Sequence, residues 1–263
     1  MGELIDNDAD FSSTFIKLIS YPEPTNQKYS QGMDILNGYV FQAYSDGTID
    51  IININTMTLI QSIGPLLNEN NKILHMNDLS FVKINNEQFL LIPGNSINEL
   101  SHLYRVLSED NLFSLEKYTT VTPPLINDTT YRSTTQYFSD NYLCIQVAYK
   151  RLENDGFGNS VLACYEYDHI NDDIQYNKIW SVEHDKMWAM QGGVIVDNYC
   201  YMAVGVSSGD AIIYQINLDN GSISCYIDFR KSMDYLKGEE MQGISYYKGY
   251  FYFSTTYGLY KLL

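Results

Sequence analysis

One unit is written at least three times along this chain. "QGMDILNGYVFQAY" begins at Gln31, "QGGVIVDNYCYMAV" at Gln191 and "QGISYYKGYFYFST" at Gln242. Each copy runs Gln-Gly, four mostly apolar residues, a two-residue polar turn and then Tyr. The turns Asn37-Gly38, Asp197-Asn198 and Lys248-Gly249 are hairpin pairs or near variants of them. "TTQYFSDNYLCIQV" from Thr134 keeps Asp140-Asn141-Tyr142 without Gln-Gly, and a looser copy opens at "HMNDLSFVKINNEQFLLI", with Asn77 about where Gln would sit. The copies start at 31, 77, 134, 191 and 242, at intervals of 46, 57, 57 and 51 residues. A repeat of about 50 residues built from four short strands is the pattern of propeller blades.

The first unit reads as strands Met33–Leu36, Tyr39–Tyr44, Thr48–Asn53 and Leu59–Ser62. The last reads as Gly243–Tyr246, Tyr250–Thr255 and Leu259–Leu262 and then stops, one strand short. "STFIKLISY" at Ser13–Tyr21 precedes the first unit with nothing to pair with, and docking it on the last unit removes two exposed edges. The expectation is all-β: a single five-bladed β-propeller over residues 1–263, its last blade closed by the N-terminal strand, with residues 1–12 an acidic flexible tail. A β-sandwich or two small β-domains is the competing layout. Insertions at Asn95–His102 and Lys150–Ser160 follow second strands and are expected at the end of the ring away from where the innermost strands begin.

Composition agrees with strands. The 24 Tyr, with Phe, Ile and Val, favour a pleated, half-buried surface. The formal charge of −16, from 32 acidic and 16 basic residues, repels phosphate backbones, so no nucleic-acid partner is expected. No run of about 20 apolar residues is present, so no membrane insertion is expected, and the acidic start lacks the apolar core of a signal peptide. A cytoplasmic or virion location follows. Cys144, Cys164, Cys200 and Cys225 lie in apolar runs and read as buried thiols, with a Cys144–Cys164 or Cys200–Cys225 bridge as the alternative.

If the Gln-Gly pairs begin the innermost strands, Gln31, Gln191 and Gln242 ring one mouth of the central channel. His75, Asn77, Asp78, Thr134, Trp188 and Glu240 fall at the same level. Convergent amides, carboxylates and an indole suit a sugar or polyol, which needs paired hydrogen bonds and a flat apolar face. Alternatively the glutamines bond neighbouring strands across the narrow channel. His75 is the one histidine expected on an innermost strand, with His102, His169 and His184 in loops. No HxH, HExxH or CxxC spacing supports a metal site, and no cofactor is expected. "DNDAD" at Asp6–Asp10 starts like a calcium loop but has Phe11 where Gly is needed and Lys17 where Glu is needed. No nucleophile elbow, P-loop or dinucleotide fingerprint appears, so no catalytic residue is assigned. The tyrosines Tyr199, Tyr201, Tyr246, Tyr247, Tyr250, Tyr252 and Tyr257 are expected to pack between blades, with some left at the rim.

Two resemblances attach to these units. "YSQGMDILNGYVFQAYSDGTIDIINI" resembles the first blade of the propeller-type glutaminyl cyclases. That likeness implies a catalytic acid/base on the second strand, where Gln42 stands here, and an amide cannot shuttle the proton. "WAMQGG", "YCYMAVG" and "EEMQGISYYKGYFYFSTTYGLYKL" are similar to the propeller of phage receptor-binding tail proteins and the teichoic-acid protein C group. This second likeness implies adhesion to a cell-surface glycopolymer. Together they lead to a non-enzymatic binding module for a glycan or protein partner. A hydrolase or cyclase working through Glu240, His75 and Asp78 at the same mouth is one alternative, and a structural virion or scaffold component is the other.

Overall fold

The computed structural model describes residues 15–21, 29–94, 100–121, 131–138, 143–151, 157–170, 173–184, 190–206, 210–229 and 239–263. After β1 (Phe15–Ser20), the chain makes a first sheet from β2 (Ser30–Leu36), β3 (Tyr39–Tyr44), β4 (Ile49–Asn53) and β5 (Thr58–Ile63). A second follows from β6 (Ser80–Ile84), β7 (Glu87–Ile92), β8 (Ser101–Glu109) and β9 (Leu112–Val121). The third holds β10 (Tyr131–Phe138), β11 (Leu143–Arg151), β12 (Phe157–Ile170) and β13 (Asp173–His184). The fourth holds β14 (Met190–Val196), β15 (Tyr199–Val206), β16 (Asp210–Asn217) and β17 (Ile223–Asp228). The last three strands are β18 (Met241–Tyr247), β19 (Tyr250–Thr255) and β20 (Gly258–Leu262).

Each sheet is an antiparallel meander, and the fifth has the order β1-β20-β19-β18. The N-terminal strand therefore completes the last sheet, from Phe15 opposite Leu262 to Ser20 opposite Gly258. The innermost strands β2, β6, β10, β14 and β18 touch one another in cyclic order, which makes a β-propeller-like ring of sheets.

Local chemistry explains these elements. Asn37, Asp197 and Lys248 adopt φ of 51°, 51° and 48°, the left-handed conformation that two-residue hairpins require. Successive strand residues then face opposite neighbours. On β3, Val40 packs with Met33, Tyr252 and Leu259, whereas Phe41 and Ala43 pack with Leu79, Leu90 and Tyr104. On β15, Tyr201 and Ala203 join Phe253 and Tyr260, while Cys200, Met202 and Val204 join Leu162 and Cys164. A fifth junction, between the second and third sheets, is built on Leu103, Ala163 and Tyr165. Sheets covered on both faces need near-continuous apolar strands, and the sequence of β15 (YCYMAVGV) meets that need.

Several expectations are corrected. The insertions after β7 and β11 leave from the end of the ring where the innermost strands begin, because Leu91 near the end of β7 pairs with Ser80 at the start of β6. Likewise Lys150 pairs with Tyr131 at the start of β10. The ends of β7 and β11 therefore stand at the Gln-Gly end, and residues 95–99 and 152–156 lie outside the described residues. His102, His169 and His184 lie on β8, β12 and β13 and not in loops. His75 lies on no strand and is exposed, since β6 starts only at Ser80. The segment before β6 is used otherwise: Met76 O accepts from Gly32 N at 3.2 Å, which ties it to β2. Cys164 and Cys200 are buried free thiols as expected, whereas Cys225 is exposed where burial was expected. Asp6–Asp10 and the acidic tail fall outside the described residues.

Candidate functional site: the Gln-Gly end of the ring

Each described Gln-Gly pair sits in an irregularity of its ladder, with register shifts between Ser30 and Met33, Met190 and Gly192, and Met241 and Gly243. Such bulges re-aim side chains at sheet margins. The glycines are demanded by crowding. A Cβ on Gly192 would lie 2.6 Å from Gly243 Cα, and one on Gly243 would lie 2.7 Å from Met33 N. A Cβ on Gly32 would overlap the backbone of Asp78. Backbones of β14, β18, β2 and the segment ahead of β6 thus meet in sequence around the ring.

The glutamines beside these glycines differ in their bonding. Gln191 is half-buried, and its Nε2 donates to Glu240 Oε1 at 2.8 Å and to Gly205 O at 3.4 Å. Gln31 is 4% exposed; its Nε2 donates to Ser30 O at 3.2 Å, and its Oε1 is buried with no hydrogen-bond partner among the described residues. Gln242, 2% exposed, likewise has a buried, unpartnered Oε1. Of the two roles open to these residues, cross-strand bonding describes Gln191, and it leaves oxygens of the other two unsatisfied.

Glu240 stands just ahead of β18. Burial raises its pKa, and the amides of Gln191 and Gln242, which hydrogen-bond its carboxylate, oppose that shift. Its main chain is held by Thr256, whose N donates to Glu240 O at 2.9 Å. Asp78, 1% exposed, uses Oδ1 to accept from Leu79 N at 2.9 Å, while Oδ2 is buried and unpartnered among the described residues. Burial pushes its carboxyl well above the usual carboxylate range, and neighbouring Asp34 pushes the same way. Asn77 is half-buried in the same segment, whereas His75 is exposed. Thr134 lies on β10, opposite Ala148. Trp188, expected as the aromatic wall, lies outside the described residues.

Two residues carry more than the sequence disclosed. Asp34 Oδ1 accepts from Ser245 Oγ at 2.6 Å and from Ile35 N at 2.7 Å, and Oδ2 accepts from Phe81 N at 2.8 Å. One carboxylate thereby ties β2 to β18 and to β6. Gln42 is fully buried; its Nε2 donates to the carbonyls of Gln31 (2.8 Å), Gly32 (3.3 Å) and Ala43 (3.0 Å), and its Oε1 accepts from Tyr21 OH at 2.9 Å. Gln42 therefore fills the bulge at Gln31-Gly32 and anchors the residue that follows β1. No group of three or more His, Cys, Asp or Glu placed to hold a metal ion occurs among the described residues. No helix among them is long and apolar enough to cross a membrane.

No protein-family model matches the chain, and no curated protein matches it. Solved structures do. The crystal structure of Myxococcus xanthus glutaminyl cyclase is similar over 94% of each chain, with a TM-score of 0.52 and 10% identity. The computationally designed Ika8 protein matches over 91% of this chain and 71% of its own, with a TM-score of 0.34 and 11% identity. At 10% identity the cyclase likeness establishes a shared β-propeller arrangement and nothing about activity.

Proposed function

We propose that the five four-stranded sheets are the blades of one closed five-bladed propeller, and that it serves as a non-enzymatic binding module taking a sugar or polyol at the Gln-Gly mouth. The observation that carries this reading is the set of three side-chain oxygens, Gln31 Oε1, Gln242 Oε1 and Asp78 Oδ2, each buried and without a partner among the described residues. Leaving a buried polar atom unsatisfied costs about 1–3 kcal/mol, so three at one end of a ring favour a group that completes them. The place where the cyclase likeness implies a catalytic acid/base is occupied by Gln42, which is spent on three backbone carbonyls.

A glycan array followed by calorimetry tests the reading. Gln191→Ala and Gln242→Ala are expected to weaken the strongest glycan signal by about tenfold or more while circular dichroism is unchanged. Signals unaffected by both substitutions count against the mouth. Glu240 supports a second reading, since a partly buried carboxyl with a raised pKa is suited to general acid work. That reading requires a turnover signal on hydrolase or cyclase substrates that Glu240→Gln abolishes.

A further inference from the structure

The mouth is selective in its polarity as well as its position. The amide N–H groups described there are directed at the protein itself: Gln31 to Ser30 O, Gln191 to Glu240 and Gly205 O, Gln242 to Glu240, and Gln42 to three carbonyls. Glu240 fixes this orientation, because a carboxylate that draws the Nε2 of Gln242 leaves its Oε1 as the unused atom. The unpartnered mouth atoms of Gln31, Gln242 and Asp78 are then amide or carboxyl oxygens, on residues 4%, 2% and 1% exposed, and Ser254 Oγ, buried opposite Gly243, is a fourth unpartnered oxygen that can accept or donate. They stand on neighbouring segments, since Gly243 crowds against Met33 and Gly32 crowds against Asp78. Residues 29–34, 74–80, 190–194 and 239–243 contain no Lys or Arg and do contain Asp34, Asp78, Glu239 and Glu240, whereas Arg132 stands at the start of β10 and Lys17 Nζ lies 3.9 Å from Glu239 Oε1.

A hydroxyl offers one donor and two acceptor lone pairs, whereas a primary ammonium offers three donors and no acceptor. Two amide oxygens that can only accept, a carboxyl beside them and a hydroxyl free to turn a lone pair inward complement the second. Resting on the reading of this mouth as a ligand site, we infer that it takes a primary ammonium group, as carried by an amino sugar with a free amine. Burial without a positive partner holds Asp78 toward its protonated form; an ammonium against Oδ2 favours the carboxylate instead, drawing off that proton and leaving Oδ2 an acceptor.

Isothermal titration of the full chain with glucosamine, N-acetylglucosamine, glucose and ethanolamine tests this. Glucosamine is expected to bind at least about tenfold more tightly than N-acetylglucosamine or glucose, the effect of one charge-assisted hydrogen bond or more. Gln31→Met and Gln242→Met, which remove the acceptors at similar volume, should each weaken glucosamine by about tenfold. Glucose or N-acetylglucosamine binding as tightly as glucosamine overturns the ammonium inference while leaving the sugar reading in place. Ethanolamine matching glucosamine supports the ammonium and removes the sugar. No heat from any of the four overturns both. Folded variants that bind glucosamine like the parent also overturn the inference, and if neither variant folds the four ligands on the unaltered chain decide it.

Discussion

Asp34→Ala is the substitution that most directly probes how the ring is held at its centre. The Asp34 carboxylate accepts one hydrogen bond from its own strand, one from Ser245 on β18 and one from Phe81 N on β6. Ile35 N is local and can be replaced by water, which leaves two bonds that join separate sheets. Hydrogen bonds to a charged group contribute about 1.5–3 kcal/mol each, so losing both costs about 3–5 kcal/mol once partial solvent access is allowed for. Domain stabilities are only about 5–15 kcal/mol. For a chain of this size each kcal/mol moves Tm by about 2–4 °C, so Asp34→Ala should lower it by about 10 °C. Urea unfolding followed by tyrosine fluorescence gives the same quantity, with an unchanged slope if the compactness of the end states is preserved. Asp34→Asn keeps one acceptor oxygen and should fall between the two. A loss below about 1 kcal/mol for Asp34→Ala would refute the idea that this carboxylate joins three strands.

Other outcomes follow from the same geometry. Gly192→Ala drives a Cβ into Gly243 Cα and should cost about 3 kcal/mol or more; Gly249→Ala, where no atom lies within 4 Å but φ is +85°, should cost about 1 kcal/mol. Equal melting temperatures for the two would contradict the crowding argument. Gln42→Glu replaces an amide that donates to three carbonyls by a buried carboxylate facing them, and a loss of about 3–5 kcal/mol is expected in the same melts. Asp78 and Glu240 have folded pKa values raised by burial, so the folded chain holds these protons more tightly than the unfolded one. Their contribution is full below the ordinary carboxylate pKa of about 4 and is lost as pH rises through the raised values. Asp78→Asn should therefore flatten the decline of Tm above pH 4 and raise Tm at pH 8, and an unchanged slope would count against it.

Much of the architecture was legible because it is written in local signals. Asn37-Gly38 and Lys248-Gly249 mark hairpins through residues that tolerate left-handed backbone, and Tyr39–Tyr44 and Tyr250–Thr255 lie where those turns place them. The orphan strand near Ser13–Tyr21 was legible from the missing partner of the last unit, and β1 pairs with β20 accordingly. What depends on distant partners was not legible. Asp34 looks like one more polar residue on a strand, since its partners Phe81 and Ser245 stand 47 and 211 residues away. His75 sits in a stretch whose alternation resembles a strand, but Met76 bonds across to Gly32 and the sheet begins later. The bulges at the Gln-Gly pairs, which decide how the glutamines are aimed, leave no periodic trace; the glycines hint at them only once strands are known to converge.

A crystal structure of the chain soaked with glucosamine shows directly where an amino sugar binds. The sugar is expected at the Gln-Gly mouth, its nitrogen within hydrogen-bond distance of Gln31 Oε1, Gln242 Oε1 and Asp78 Oδ2. Sugar bound only elsewhere, for instance in the surface groove at Leu107, Leu112 and Phe113, with the mouth atoms unengaged, would contradict this placement.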